Sequence, residues 1–296
     1  MTLTLAQFAM DAQSLLQGSV DLGKLPLLIP GLPLFGAVLA LLCAVFRVKS
    51  RLPAFLMVVC LAGAFAVALW MYLQITGTSH TNVAGIKGLP ANWTVVHAFD
   101  WINFQWEQGR FFVANFSFYI DSLTCLWMLF VTGLATAIAL YASEYMSHDV
   151  GPGYCRFFFA FGLFVFSMAC LVMGDNLLLL YLGWEGVGLC SYLLIGYFYQ
   201  KPSAVDAAKK AFIVNRIGDL GLALGILLTF TQFGTVQYAE LFPHIDHFLK
   251  LAAAGQFDQI PWQIELIPVM FTVGAFGKSA QLPLYVWLPD AMEGPT

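Results

Sequence analysis

Uninterrupted apolar runs alternate with short polar breaks along most of the chain, over 25–46, 53–75, 119–141, 157–173, 177–199, 208–232 and 265–288. Each run is near the ~20 residues that a helix rising ~1.5 Å per residue needs to cross a hydrocarbon core about 30 Å thick. The runs are uniformly apolar and about twice as long as the alternating strands of a membrane barrel. The pattern therefore predicts an all-α, polytopic transmembrane helix bundle of about seven helices. Pro30 and Pro33 fall early in the first run and predict irregular opening turns, while Pro283 and Pro289 make the last run discontinuous. Two longer polar stretches remain, 76–118 and 233–264. The first carries Trp93, Trp101 and Trp106 and predicts an interfacial loop with room for a short hairpin.

Composition agrees with this solvent. Hydrophobic residues make up 60% of the 296 positions and charged ones 10%, with a mean hydropathy of +0.78, where a soluble domain carries roughly 25% charged residues. The net charge of −4 is spread thin, with no block that suggests nucleic acid or a polybasic lipid anchor. Six cysteines (Cys43, Cys60, Cys125, Cys155, Cys170, Cys190) stand far apart without the C-x-x-C spacing of metal or iron–sulfur ligation. They read as small core residues, and no redox centre is visible in this chain. Met1–Gly23 holds Asp11 and Asp21 and neither Lys nor Arg, so it lacks the basic start of a secretory leader. Loop cations set the orientation. Arg47, Lys49, Arg51, Arg156, Lys201, Lys209 and Lys210 fall on one side, and Lys24, Lys87, Arg110 and Lys250 on the other. The richer side is expected to be cytoplasmic, with the N-terminus outside and Thr296 inside.

Charges within spans carry the chemistry, because each costs about 2.5–3.5 kcal/mol to insert. Four qualify: Glu185, Arg216, Asp219 and Lys278. Glu185 lies about 12 Å below the start of its run, and Tyr181, Glu185, Gly188 and Tyr192 share its helix face. Desolvation and a nearby cation pull a buried carboxyl in opposite directions, which is the tunability a proton carrier needs. A permanently paired structural glutamate is the other reading. Lys278, also near mid-depth, is expected to be the cation that modulates Glu185 or a proton acceptor itself; a structural ion pair beside a packing kink is the alternative. Pro283 comes five residues later and breaks the helix where transporters place ion sites. Arg216 and Asp219 are three apart and read mainly as a local structural ion pair, with Asn215 four before Asp219 and a role in conduction as the alternative. Asp121 is expected to cap the third helix; Glu144, His148 and Asp149 are expected to be solvated, and His244 and His247 have too few companions for a metal. Gly277-Lys278-Ser279 mimics the end of a phosphate loop, but Thr272 stands where its first glycine belongs and the segment is apolar. The sequons at Asn92 and Asn115 are read as chance.

The run Asp175-Asn176-Leu177-Leu178-Leu179-Leu180-Tyr181-Leu182-Gly183-Trp184-Glu185-Gly186-Val187-Gly188-Leu189-Cys190-Ser191-Tyr192-Leu193-Leu194-Ile195-Gly196 resembles the fifth-helix signature of the L subunit family of proton-pumping NADH:quinone oxidoreductase, respiratory complex I. Lys210-Ala211-Phe212 with Arg216-Ile217-Gly218-Asp219 is similar to the family's sixth helix. Gly277 to Leu284, Trp287-Leu288 and Asp290 to Thr296 resemble its discontinuous seventh, and Tyr119 to Thr124 its third. The resemblance implies an antiporter-like inverted-repeat fold in which Glu185 and Lys278 transfer protons and Arg216, Asp219 and Lys210 support them. It implies a non-redox translocase subunit in the plasma (inner) membrane, beside an adjacent antiporter-like subunit, with flavin, iron–sulfur clusters and quinone held by partner subunits. It divides the chain into 1–117 (two helices and an outer loop), 118–173 (helices three and four) and 174–296 (the start of the antiporter-like domain). The family continues past Gly294-Pro295-Thr296, so the chain is expected to be a fragment or one piece of a split subunit whose second chain carries the missing helices. Alone it is expected not to conduct. A subunit of a multi-subunit cation/proton antiporter of the Mrp type, without quinone chemistry, is the alternative function.

Overall fold

A computed structural model of the chain describes residues 22–77, 93–107 and 110–295. The leader expectation for the first 21 residues, Lys87, the sequon at Asn92 and the placement of Thr296 lie outside the described residues. Among the described residues six helices are long and apolar enough to span: α1 (Leu28–Val45), α2 (Leu52–Gly77), α3 (Ser122–Tyr145), α4 (Pro152–Met173), α5 (Leu177–Ile195) and α6 (Pro202–Phe233). An amphipathic α7 (Tyr238–Ala253) and a shorter α8 (Trp262–Lys278) come after them. The protein is a multi-pass membrane protein with an all-α spanning bundle.

Local chemistry explains the boundaries. Leu25–Leu27 form a 3₁₀ turn before α1, which is the irregular start expected from its prolines. Pro152 and Pro202 open α4 and α6, where a missing N–H costs nothing. Asp121 Oδ1 accepts the Thr124 amide at 2.7 Å and caps α3, as its position predicts. Asn176 does the same for α5, accepting from Leu178 N at 3.1 Å and Leu179 N at 2.8 Å. Gly234, at φ +73°, ends α6 in the left-handed region.

Several expected boundaries are corrected. α4 begins five residues before 157, so Arg156 sits on a helix, and α6 begins at Pro202, which puts Lys209 and Lys210 on its first turns. Polar turns that extend beyond the hydrocarbon carry no apolar signal, and hydropathy alone therefore trims them. The stretch 76–118 holds a long antiparallel hairpin, β1 (Trp93–Glu107) and β2 (Arg110–Asp121), which removes Tyr119–Asp121 from the third span. The run 265–288 is helical only to Lys278; beyond it come a turn, the cis Leu282–Pro283 peptide and two 3₁₀ turns, Leu284–Trp287 and Asp290–Glu293. The last membrane helix is thus discontinuous, as predicted, with its break directly after Lys278.

The bundle packs α1 against α2 and α4, α2 against α3, α4 against α5, and α6 against α5 and α8. Ala37, Ala40, Ala135, Ala139 and Ala142 are buried beside Tyr154 and Phe158, while Leu123, Phe130, Leu140 and Tyr141 of α3 point outward. Small residues inside and large apolar ones outside is the arrangement of helices solvated by lipid, where close backbone approach replaces a hydrophobic drive. At one end of the bundle, β2, the α4–α5 turn and the α7 start are joined by backbone bridges Phe118↔Gly174 and Asn176↔Gln237. At the other end Arg51 Nη1 meets Glu144 Oε2 at 2.6 Å and the Tyr197 hydroxyl donates to Asp149, so neither carboxylate is simply solvated.

Candidate functional site

Three helices deliver the four intramembrane charges to one place. Glu185 comes from the middle of α5, Arg216 and Asp219 from the middle of α6, and Lys278 from the last turn of α8. Arg216 Nη1 forms an ion pair with Glu185 Oε2 and lies 3.7 Å from Asp219 Oδ2. The cation in direct contact with Glu185 is Arg216, whose bond to Asp219 is the longer of the two; Lys278, expected to modulate Glu185 or to accept a proton itself, makes no ion pair with it among the described residues. Asp219, 2% exposed, also accepts the Trp184 indole N–H at 2.5 Å. The guanidinium lies over the Phe212 ring at 4.4 Å.

Lys278 Nζ has no hydrogen-bond partner among the described residues and stands 5.7 Å from the Trp184 ring centroid. It nevertheless reaches the Glu185 face. A Cβ placed on Gly188, one turn after Glu185, would lie 2.6 Å from Lys278 Nζ and 3.7 Å from Arg216 Nη2. Gly188 is thus the gap into which both cations project. Two carboxylates and two cations give the cluster no net charge when all are ionised. Glu185 Oε1, Asn215 Oδ1, Asp219 Oδ2 and Lys278 Nζ are all buried without a hydrogen-bond partner among the described residues. Such atoms in an apolar interior leave donor and acceptor capacity free for water or a mobile proton.

The close approach of α6 and α8 sets this geometry. A Cβ on Gly218 would fall 2.9 Å from the Gly277 Cα, and Gly274 abuts Leu222. Gly277 precedes Lys278 and its carbonyl accepts the Trp287 indole at 3.1 Å, so the residue after the crossing is anchored on both sides. Gly188 is legible in the sequence as part of the Glu185 face, whereas the packing roles of Gly218, Gly277 and Trp184 are not; the small-residue spacing on α6 (Gly218, Gly221, Gly225) is the signal that points to the crossing. Lys210 is not in the cluster. Its Nζ lies 2.6 Å from Asp290 Oδ2, and Ser203 Oγ lies 3.0 Å from Glu293 Oε2, so both tie the segment after the break to α6. Pro283 is exposed in that segment.

Residues 174–296 match the family described as NADH:quinone oxidoreductase/Mrp antiporter, TM, and residues 106–158 that of NADH-Ubiquinone oxidoreductase (complex I), chain 5 N-terminus. The NADH-quinone oxidoreductase subunit L of Pseudomonas aeruginosa is 43% identical over 221 residues, which are 72% of this chain and 34% of that one. The subunit of the same name from Mycobacterium tuberculosis is 45% identical over 193 residues, 65% of this chain and 28% of that one. The chloroplastic NAD(P)H-quinone oxidoreductase subunit 5 of Anthoceros angustus is 43% identical over 201 residues, 68% and 26%. The chain thus spans about a third or less of the length of these relatives. Among solved structures, a chain of the Mrp complex from a Dietzia species superposes with a TM-score of 0.67 at 23% identity, covering 91% of this chain and 25% of that one. A chain of the archaeal membrane-bound sulfane sulfur reductase gives 0.62 at 19% identity, covering 91% and 47%. At these identities the likeness to both structures is one of fold.

Proposed function

Because this chain belongs to the family of NADH:quinone oxidoreductase subunit L and its chain 5 counterparts, we propose that it is a membrane-arm subunit that moves protons across the bilayer while NADH oxidation and quinone reduction occur in other subunits. The observation that carries this is the convergence of Glu185, Arg216, Asp219 and Lys278 around Gly188, with unpartnered polar atoms on three of them.

The geometry suggests how a proton is handled. A proton arriving at Glu185 Oε1 forms an O–H bond and cancels the charge that holds Arg216. Arg216 is then free to close its 3.7 Å separation from Asp219. The cluster becomes net positive, and the like charge disfavours the proton on Lys278, which passes it onward. Charges about 4 Å apart interact by roughly 4 kcal/mol at an intermediate dielectric, enough to move a proton equilibrium by several powers of ten. Glu185 and Lys278 are the proton-transfer groups of this scheme. Arg216 and Asp219 position them, and Lys210 acts at a distance through the segment it ties down.

The bundle end bearing Arg47, Lys49 and Arg51 is the cytoplasmic one in this reading, supported by its cation count, in a plasma or inner membrane. Flavin, iron–sulfur clusters and quinone are assigned in this reading to partner subunits, and the buried cysteines at separate positions support that for the clusters. The adjacent antiporter-like subunit is the nearest of those partners, and a second chain is the partner if the subunit is split. A second reading, a cation/proton antiporter subunit, is favoured by the matched family description, which names both. The assembled complex carrying Glu185→Gln, in sealed vesicles with a pH-sensitive dye, tests the first. Quinone reduction with a clear drop in protons moved per electron is the expected result; an unchanged ratio in a normally assembled complex would overturn it. Transport that requires a sodium gradient and ignores NADH would favour the second.

A further inference from the structure

Two cavities meet at the bundle end opposite the hairpin, and neither belongs to the charged cluster. One, of 550 Å³, is polar and lined by His148, Arg156, Gln200 and Lys201. The other, of 390 Å³, is mostly apolar and lined by Leu41, Phe157, Leu193 and Val205 from α1, α4, α5 and α6. Arg156, Tyr197 and Tyr199 line both, so the two form one groove with a charged mouth and an apolar stem.

The mouth lies where spans leave the hydrocarbon, at the start of α4 and just past the end of α5. Arg156 lies over Tyr199 at 4.7 Å and Tyr197 at 5.7 Å, and Lys201 over Phe198 at 4.9 Å. The rings hold the cations in place yet leave their N–H donors unspent. Among the described residues neither cation forms an ion pair. The acid in the mouth, Asp149, is already engaged by the Tyr197 hydroxyl and faces the first turn of α4 at Gly153.

We propose that this groove binds an anionic phospholipid, its phosphate on Arg156 and Lys201 and one acyl chain in the stem between α1, α4, α5 and α6. Two ring-held surface cations without a carboxylate partner among the described residues offer free donors to an anion. An apolar stem of 390 Å³ opening at their level suits an anion that carries a tail, and basic pockets between spans at the membrane surface bind lipid head groups. A soluble phosphate would leave the stem unfilled, and an apolar tail alone would leave the cations uncompensated.

The test uses the assembled complex in phosphatidylcholine vesicles doped with phosphatidylglycerol that carries a photoactivatable group in its acyl chain. Labelling of peptides spanning 156–160 and 193–205 is expected, several-fold above that from an equally tagged phosphatidylcholine. Arg156→Gln with Lys201→Gln should reduce the first probe to the level of the second. Val205→Trp fills the stem without touching a charge and should remove labelling by both; it keeps the test open if the charge variant fails to assemble. Equal labelling by both lipids in the native complex would overturn the proposal, as would no labelling, which means another protein segment covers the groove. Loss of the phosphatidylglycerol label to millimolar inorganic phosphate would reassign the site to a soluble anion.

Discussion

Arg216 is shared by two carboxylates, and that arrangement has a measurable signature. Removing it leaves Glu185 and Asp219 without their paired cation and with a net negative cluster, which costs about 3–5 kcal/mol. Arg216→Ala should therefore assemble poorly, and adding Glu185→Gln should restore much of the yield. If native gels show the double variant to be the worse of the two, Arg216 is not a partner of Glu185. The residues are legible from hydropathy because each is a charge where none belongs; their pairing is not. Sequence gives depth along a helix, and Arg216 and Lys278 reach similar depths. Which of them meets Glu185 is decided by rotation and crossing, which only the glycine contacts fix. A second titratable residue lies outside the spans. Burial pushes Asp175 up to about 7, against the lowering hydrogen bonds from Asn176, a backbone amide and Ser117; Tyr238 of α7 is the other titratable group beside it. A raised carboxyl means that the folded state holds its proton longer than the unfolded one. The stability it contributes is complete below the ordinary carboxylate range near pH 4 and is lost as pH rises through about 7. Between pH 5 and 8, Asp175→Asn should gain on the native protein by on the order of 2 kcal/mol in thermal unfolding. Parallel curves for the two proteins would mean that Asp175 is not buried as described.

At the scale of elements, the α6–α8 crossing has no side chain to yield. Gly218→Val or Gly277→Val forces the helices apart and should uncouple Lys278 from the cluster, lowering proton transport far more than assembly. Gly188→Ala is the milder variant, since its methyl meets only the flexible ends of Lys278 and Arg216; transport should fall several-fold in the dye assay with the complex intact. Wild-type transport in all three would show that close approach is not required. The spans themselves are readable because lipid demands about twenty apolar residues in a row, whatever else the sequence does. The full length of the hairpin is hidden for the opposite reason. The hairpin strands are aromatic on both faces (Phe99 stacks on Phe116 on one, Trp93 on Tyr119 on the other) and so lack the alternation that marks a strand with one wet face. α7 is hidden in a polar loop because helical periodicity, not hydropathy, defines it: Leu241, Phe242, Ile245, Phe248 and Leu249 fall on one stripe.

At the scale of the molecule, the two ends of the bundle are fastened by different kinds of bond. The end with Arg51–Glu144, Tyr197–Asp149 and Lys210–Asp290 is fastened by side chains, and several of these are exposed. The hairpin end is joined through main chain: Asp175 N to Ser117 O at 3.2 Å, Leu177 N to Val236 O at 3.0 Å, and Tyr238 N to Asp175 O at 3.0 Å. Peptide groups are the same in every residue except proline. The hairpin end should therefore be tolerant of mutation at half-buried Gln237, where most single changes leave the join standing and proline cuts it, while buried Val236 and Ser117 accept changes of similar size. The opposite end has no such reserve, because each of its fastenings is lost with one named side chain. A saturation library of both ends, selected for respiratory growth, should show broad acceptance with a proline gap at the first and narrow acceptance at the second. Equal acceptance at both ends would mean that the backbone bridges do not hold the hairpin in place.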